Sequence, residues 1–229
     1  MRGRADSMAG RRIFVINPNS NEATTAMMVA IARSAAGDGF EIVGATATRA
    51  PSMIVTPQAL EAAAPEVEEI ARAHQNSCDG IIVSAFGDPG LAGIKAAVKL
   101  PAVGIGESSM LDAAENGRRF GVATTTPLLG AKIDALPEAL GLRSRYTGTR
   151  FAEGDPQALM RDQAQLRDAL AAAVEACIAQ DGAEAVIIGG GPLGEAAREL
   201  QPMFAVPIIA PIPSAVTRII RLIEARSAN

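Results

Sequence analysis

The chain has 229 residues, enough to bury one large core or two smaller ones, and 48% hydrophobic with 3% aromatic residues favours closely packed aliphatic α/β layers. A net charge of -4 leaves no basic footprint for nucleic acid, and no apolar run reaches the roughly 18 residues that a membrane span needs. Two cysteines, Cys78 and Cys177, cannot build a secreted disulfide framework, and the basic start MRGRADSMAGRR lacks the apolar stretch of a secretory signal, so a frayed tail and a cytoplasmic protein are expected.

In chain order, Arg12 to Ile16 (RIFVI) reads as a strand that ends in the turn-forming cluster Asn17-Pro18-Asn19-Ser20-Asn21. Glu22 to Ala35 is helical, with Ser20 or Asn21 as N-cap. Phe40 to Ala45 is a strand, Arg49 to Pro57 is irregular, and Leu60 to His74 is a helix. Cys78 to Leu91 (CDGIIVSAFGDPGL) follows, a short aliphatic run broken by Gly87-Asp88-Pro89-Gly90. An aliphatic run without polar alternation is the habit of a strand buried on both faces of a parallel sheet. The glycine-rich break then falls at the strand's carboxyl end, where open α/β sheets place ligands. Leu91 to Val98 is helical, and Ala102 to Ile105 is a short strand ending at Gly106-Glu107-Ser108-Ser109.

The pattern then repeats. Met110 to Glu115 is helical, Arg119 to Ala123 is a strand, and Thr124-Thr125-Thr126-Pro127 occupies the place of the asparagine cluster. Leu128 to Leu140 is helical and Arg143 to Thr147 is a strand. Asp155 to Ile178 is expected as one long alanine-rich helix, with Asp155 as cap and Pro156 at its first position. Ala185 to Ile188 is the second central strand, broken by Gly189-Gly190-Gly191. Pro207 to Ile209 is a last strand, and Ser214 to Ala225 a closing helix. Two such series predict an α/β fold of two pseudo-symmetric Rossmann-like lobes, each with a parallel sheet, and a cleft between them walled by the strand-end loops. The lobes are expected at residues 1–103, joined by 210–229, and at 104–209.

INPNSN at Ile16 to Asn21, AFGDPGL at Ala85 to Leu91, VGIGES at Val103 to Ser108 and FGVATTTP at Phe120 to Pro127 carry a family resemblance, together with the glycine break after Ile188. Across nearly the whole chain, the sequence resembles the aspartate/glutamate/hydantoin racemase superfamily, in its hydantoin and allantoin racemase branch. The resemblance implies a cofactor-free site between two lobes, a small-molecule substrate, and a homo-oligomer. It also implies two cysteines that remove and return a proton beside a carbonyl from opposite faces. The first of those cysteines corresponds to Ala85 here, and the second to Gly190.

A two-base racemase needs an acid or base on each face of the stereocentre, and Ala85 and Gly190 supply neither. The expected function is therefore a hydantoin-racemase-like enzyme on a small cyclic amide or amino-acid derivative that does not racemise through two thiols. Ring opening or desulfurisation by a diverged lyase or hydrolase is one alternative, and a non-catalytic small-molecule binder is another. Replacement catalytic candidates are Asp88 and Glu107, each otherwise a cap or an ion pair, and Ser84, otherwise a packed core serine. Substrate-binding candidates are Asn17, Ser20, Phe86, Gly87, Thr124 and Thr125, with backbone donors at Gly190 and Gly191. Cys78 and Cys177 read as structural thiols. His74, the only histidine, reads as a solvated helix residue, and no cluster of metal ligands is visible.

Overall fold

β1 (Arg12–Asn17) is buried from Ile13 onward, and its neighbours on both sides run parallel to it. The computed structural model describes residues 10–228, so most of the stretch read as a frayed tail lies outside them. With β2 (Glu41–Thr46), β3 (Gly80–Val83) and β4 (Ala102–Gly104), β1 forms a four-stranded sheet in the order β2-β1-β3-β4. The second sheet contains β5 (Phe120–Thr124), β6 (Tyr146–Phe151), β7 (Ala185–Gly189) and β8 (Ile208–Ile209), in the order β6-β5-β7-β8. Every pairing in both sheets is parallel. One strand order thus occurs twice, as the repeated sequence pattern predicts.

Helices cover the sheets, as parallel pairing requires, because each crossover lays one across a face. In the first lobe these are α1 (Glu22–Ala36), α2 (Pro57–His74) and α3 (Leu91–Ala97). α4 (Ile105–Ala113) follows β4 directly. The second lobe carries α5 (Gly130–Ala139), α6 (Pro156–Leu159), α7 (Gln163–Ala179) and α8 (Gly194–Leu200). The last helix, α9 (Pro211–Ser227), returns to the first sheet, where Ile212, Val216 and Ile219 pack with Ile13, Val15 and Ile82. A Cβ at Gly80 would lie 2.8 Å from Ile219 Cγ1, so the bare backbone of β3 is what lets α9 approach this closely.

α4 bridges the lobes. Ile105 belongs to the core shared with α1 and α9, whereas Met110 and Ala113 pack with Phe120, Val122 and Ile187 of the second lobe. Phe86 crosses in the same way: it follows β3 but is buried among Leu60, Phe120 and Leu129. The cleft is therefore framed by packed apolar keys on both sides.

Three sequence expectations are corrected. The helix expected across Asp155 to Ile178 is two helices, because Asp162 leaves helical geometry and its Oδ1 accepts from the backbone N–H of Ala164 and Gln165, starting α7 afresh. The strand expected at Arg143 to Thr147 lies further on, at Tyr146–Phe151. Gly141 has φ +69 and the Arg145 N–H bonds to Leu142 O, so the chain is still turning there. The loop expected at Gly106 to Ser109 is the start of α4, for a reason that lies elsewhere in the sequence and is given below.

Candidate functional site

The carboxyl ends of β1, β3, β5 and β7 meet between the lobes around a small cavity of about 90 Å³. Ser84, Ala85 and Phe86 wall it from the first lobe, and Thr125, Gly190 and Gly191 from the second. Six of the residues expected at the site from the sequence are thus brought together. The rest stand behind the wall, and the hydrogen bonds explain why.

Asn17 is fully buried and its amide is spent on its own loop. Nδ2 donates to Asn19 Oδ1 at 2.9 Å, Thr25 Oγ1 at 2.9 Å and Asn21 O at 3.1 Å, while Oδ1 accepts from the Asn19 N–H at 3.1 Å. Asn21 Oδ1 then caps α1 through the Thr24 N–H. The asparagine cluster is a self-bonded scaffold that presents Asn19, not Asn17, to the cavity. Ser20 is also off the wall, and its N–H is held by Pro51 O at 3.2 Å.

Asp88 corrects a second expectation. It adopts φ +49 between Gly87 at φ +121 and Gly90 at φ +76, a run that buries its carboxylate instead of turning it to the cavity. Oδ1 accepts the Gly106 N–H at 2.8 Å and Oδ2 the Glu107 N–H at 2.7 Å, so Asp88 caps α4 from outside the helix. A Cβ at Gly104 would lie 2.1 Å from the Asp88 carboxyl carbon, and one at Gly106 3.0 Å from Oδ2. The glycines of VGIGES therefore make room for the aspartate of FGDPG, and the two motifs are one structural unit. Burial pushes Asp88 up to about 7, opposed by the two backbone N–H donors that favour the charged form.

Glu107, in the first turn of α4, is buried and holds Lys95 Nζ with both oxygens, at 2.8 and 2.7 Å. It ties α3 to α4 and does not reach the cavity. Thr124 is also behind the wall: its hydroxyl donates to Gly189 O at 2.6 Å and locks the ends of β5 and β7 together. Gly87 faces Leu60, whose Cδ2 would lie 2.7 Å from a Cβ there.

Of the expected catalytic side chains, only Ser84 lines the cavity, and its hydroxyl donates to Met28 Sδ at 3.0 Å. A thioether is a poor acceptor and no base. No residue on the cavity wall is ionisable. The available polarity is neutral: Asn19, Thr126 and Ser84, the hydroxyl of Thr125, a buried residue, and backbone donors. The N–H groups of Phe86, Gly190 and Gly191 have no backbone acceptor among the described residues.

Sequence reasoning missed the apolar half of the wall. Met53 and Ile54 come from the irregular stretch after β2, and Met160 from the break between α6 and α7. Each follows the edge strand of its lobe, and that repeat symmetry was the signal available. Gly191 shows how tightly the lobes meet there, since a Cβ would lie 2.6 Å from Met28 Sδ and 3.1 Å from Ser84 O.

Neither cysteine lines the cavity. Cys177 is fully buried in α7, where its Sγ lies 3.7 Å from Val122 O, and burial raises the thiol to about 12. Cys78 is half-buried before β3, also raised by burial and by Asp79. His74 stacks on Phe14 with ring centroids 4.1 Å apart, at the end of α2. Among the described residues no group of three or more His, Cys, Asp or Glu could hold a metal ion, and no helix is long and apolar enough to cross a membrane.

Known proteins share this architecture. A hydantoin racemase of Pseudomonas sp. (strain NS671) is 31% identical over 206 residues, covering 86% of this chain and 80% of that protein. The allantoin racemase from Klebsiella pneumoniae is 27% identical with a TM-score of 0.88, covering 94% of this chain and 89% of that one. The allantoin racemase of Pseudomonas fluorescens has 25% identity and a TM-score of 0.89, covering 94% and 92%. The family described as Asp/Glu/Hydantoin racemase matches residues 13–219, and the chain belongs to that family.

Proposed function

We propose that this protein is a hydantoin-racemase-like enzyme that binds a small cyclic amide in the inter-lobe cavity, without a cofactor, and does not use two thiols for its chemistry. The observation that carries this reading is the makeup of the wall. Ala85 and Gly190 face the cavity where the resemblance implies cysteines, and neutral donors surround them. Hydantoin and allantoin racemases among its relatives supply the substrate class. A ring carbonyl would accept from the Thr125 hydroxyl and from the N–H groups of Phe86, Gly190 and Gly191. Such donors stabilise an enolate as charge develops on its oxygen. With no ionisable group on the wall, water carries the proton.

The test is incubation of enantiopure 5-methylhydantoin with the protein in deuterium oxide. Proton abstraction places deuterium at the stereocentre, ring opening changes the mass, and unaltered substrate that nevertheless binds marks a binding protein. Exchange at C5 above background supports the enzyme reading; no exchange and no binding overturns it. Thr125→Val should weaken hydantoin binding about fivefold, the cost of roughly 1 kcal/mol for one neutral hydrogen bond. The dissociation constant by calorimetry checks it, and an unchanged value would remove Thr125 from the site. The homo-oligomer and cytoplasmic location expected from the sequence belong to this same reading.

A further inference from the structure

We propose that the groove between α4 and α9 is a second ligand site, which takes a small molecule bearing a single carboxylate. The groove encloses about 340 Å³ and shares no wall residue with the inter-lobe cavity. The two helices face it with corresponding stripes. Ser108, Asp112 and Glu115 lie on one side of α4 and its C-terminal turn, at helical spacing. Ser214, Arg218 and Arg221 lie on one side of α9. Two contacts tie the helices together across it. Ser214 Oγ donates to Asp112 Oδ2 at 2.6 Å, and Arg221 Nη1 lies 3.9 Å from Glu115 Oε1.

Along the groove wall, two donors are left without acceptors. Ser108 is 2% exposed, and its buried Oγ has no hydrogen-bond partner. The Nε of Arg218 is likewise buried and unpartnered. Native proteins satisfy nearly all such groups, and an exception calls for a partner that is not part of the chain. A guanidinium and a hydroxyl on the wall of one groove are donors of the kind that grip a carboxylate, the former through its planar fork. The occupant's charge is set by the rest of the wall. Asp112 and Glu115 offset Arg218 and Arg221, so the bare groove is neutral, and a monoanion adds half the charge that a dianion such as phosphate would.

The experiment titrates N-acetylglycine and, separately, inorganic phosphate into the full-length protein, with amide chemical shifts and calorimetry as readouts. N-acetylglycine should shift signals of α4 and α9, and phosphate should bind at least about tenfold more weakly. Arg218→Gln should weaken N-acetylglycine binding about tenfold or more. Ser108→Ala should weaken it several-fold while folding at least as stably as the wild type, since it removes an unsatisfied hydroxyl and improves helix propensity. Three results would overturn the proposal. One is the absence of N-acetylglycine binding at millimolar concentration. Another is binding lost in Thr125→Val but kept in Arg218→Gln, which places the carboxylate in the inter-lobe cavity. The third is dissociation of an assembly by Arg218→Gln with no carboxylate binding in the wild type, which makes the groove a contact between copies.

Discussion

Wild-type protein given an enantiopure 5-substituted hydantoin should racemise it at least about 10⁴-fold more slowly than a relative with two catalytic thiols. A positioned general acid or base contributes roughly 10²–10⁴-fold, and a two-base racemase loses one on each face when both thiols are replaced. Ala85 and Gly190 hold no proton, and the wall around them has no ionisable group to replace one. The chain's own thiols are not substitutes, because Cys177 is sealed in the second core with its pKa raised to about 12 and Cys78 lies before β3. Whatever slow exchange occurs should therefore survive iodoacetamide. Polarimetry and deuterium incorporation measure it. Racemisation at the rate of such relatives, or its loss on alkylation of Cys78, would show that the site is built differently.

Restoring one thiol separates these effects further. Ala85→Cys places a thiol on the cavity wall without demanding an unusual backbone, and should raise solvent exchange at the stereocentre at least about tenfold. With a base on one face only, exchange should outrun inversion. Gly190→Cys is harder. Its φ of +155 disfavours a side chain, and a Cβ would lie 2.9 Å from Leu193 Cδ1, so Leu193→Ala is its companion change.

Asp88→Ala should destabilise the fold by about 3 kcal/mol. The substitution leaves the N–H groups of Gly106 and Glu107 buried without acceptors, each costing about 1–3 kcal/mol, and removes the carboxylate that caps α4. Asp88→Asn keeps the shape but turns an amide NH₂ toward one of the two donors, so it should lose about half as much. Denaturant unfolding reads both. The pH dependence distinguishes this from a cavity effect. Asp88 titrates near 7 in the folded protein and near about 4 unfolded, so between those values the folded protein holds a proton that the unfolded chain releases. Its contribution is complete below about pH 4 and is lost as pH rises through 7. The stability gap between wild type and Asp88→Asn should narrow over that window; a gap that widens would mean the carboxylate is held ionised by its two donors.

Local pattern determined most of the strand and helix series, the two lobes and the strand-end position of the cleft. Buried parallel strands such as GIIV and AVIIG announce themselves by aliphatic runs, and the breaks after them by glycine and proline. The absence of thiols at Ala85 and Gly190 was equally visible, because it required only the motifs. Tertiary structure decided which side chain at each strand end faces the cavity. Asn17 and Asn19 are two residues apart and chemically identical, and only the bonds to Asn21 and Thr25 show that the first is a scaffold and the second a wall. The start of α4 was hidden for a related reason: its cap, Asp88, comes from another strand-end loop, and a cap supplied from a distance leaves no signal in the residues it caps. Hydrogen-bond satisfaction is a property of the packed chain, so the sequence names the groups that can bond, and only the fold determines which of them are left for a ligand.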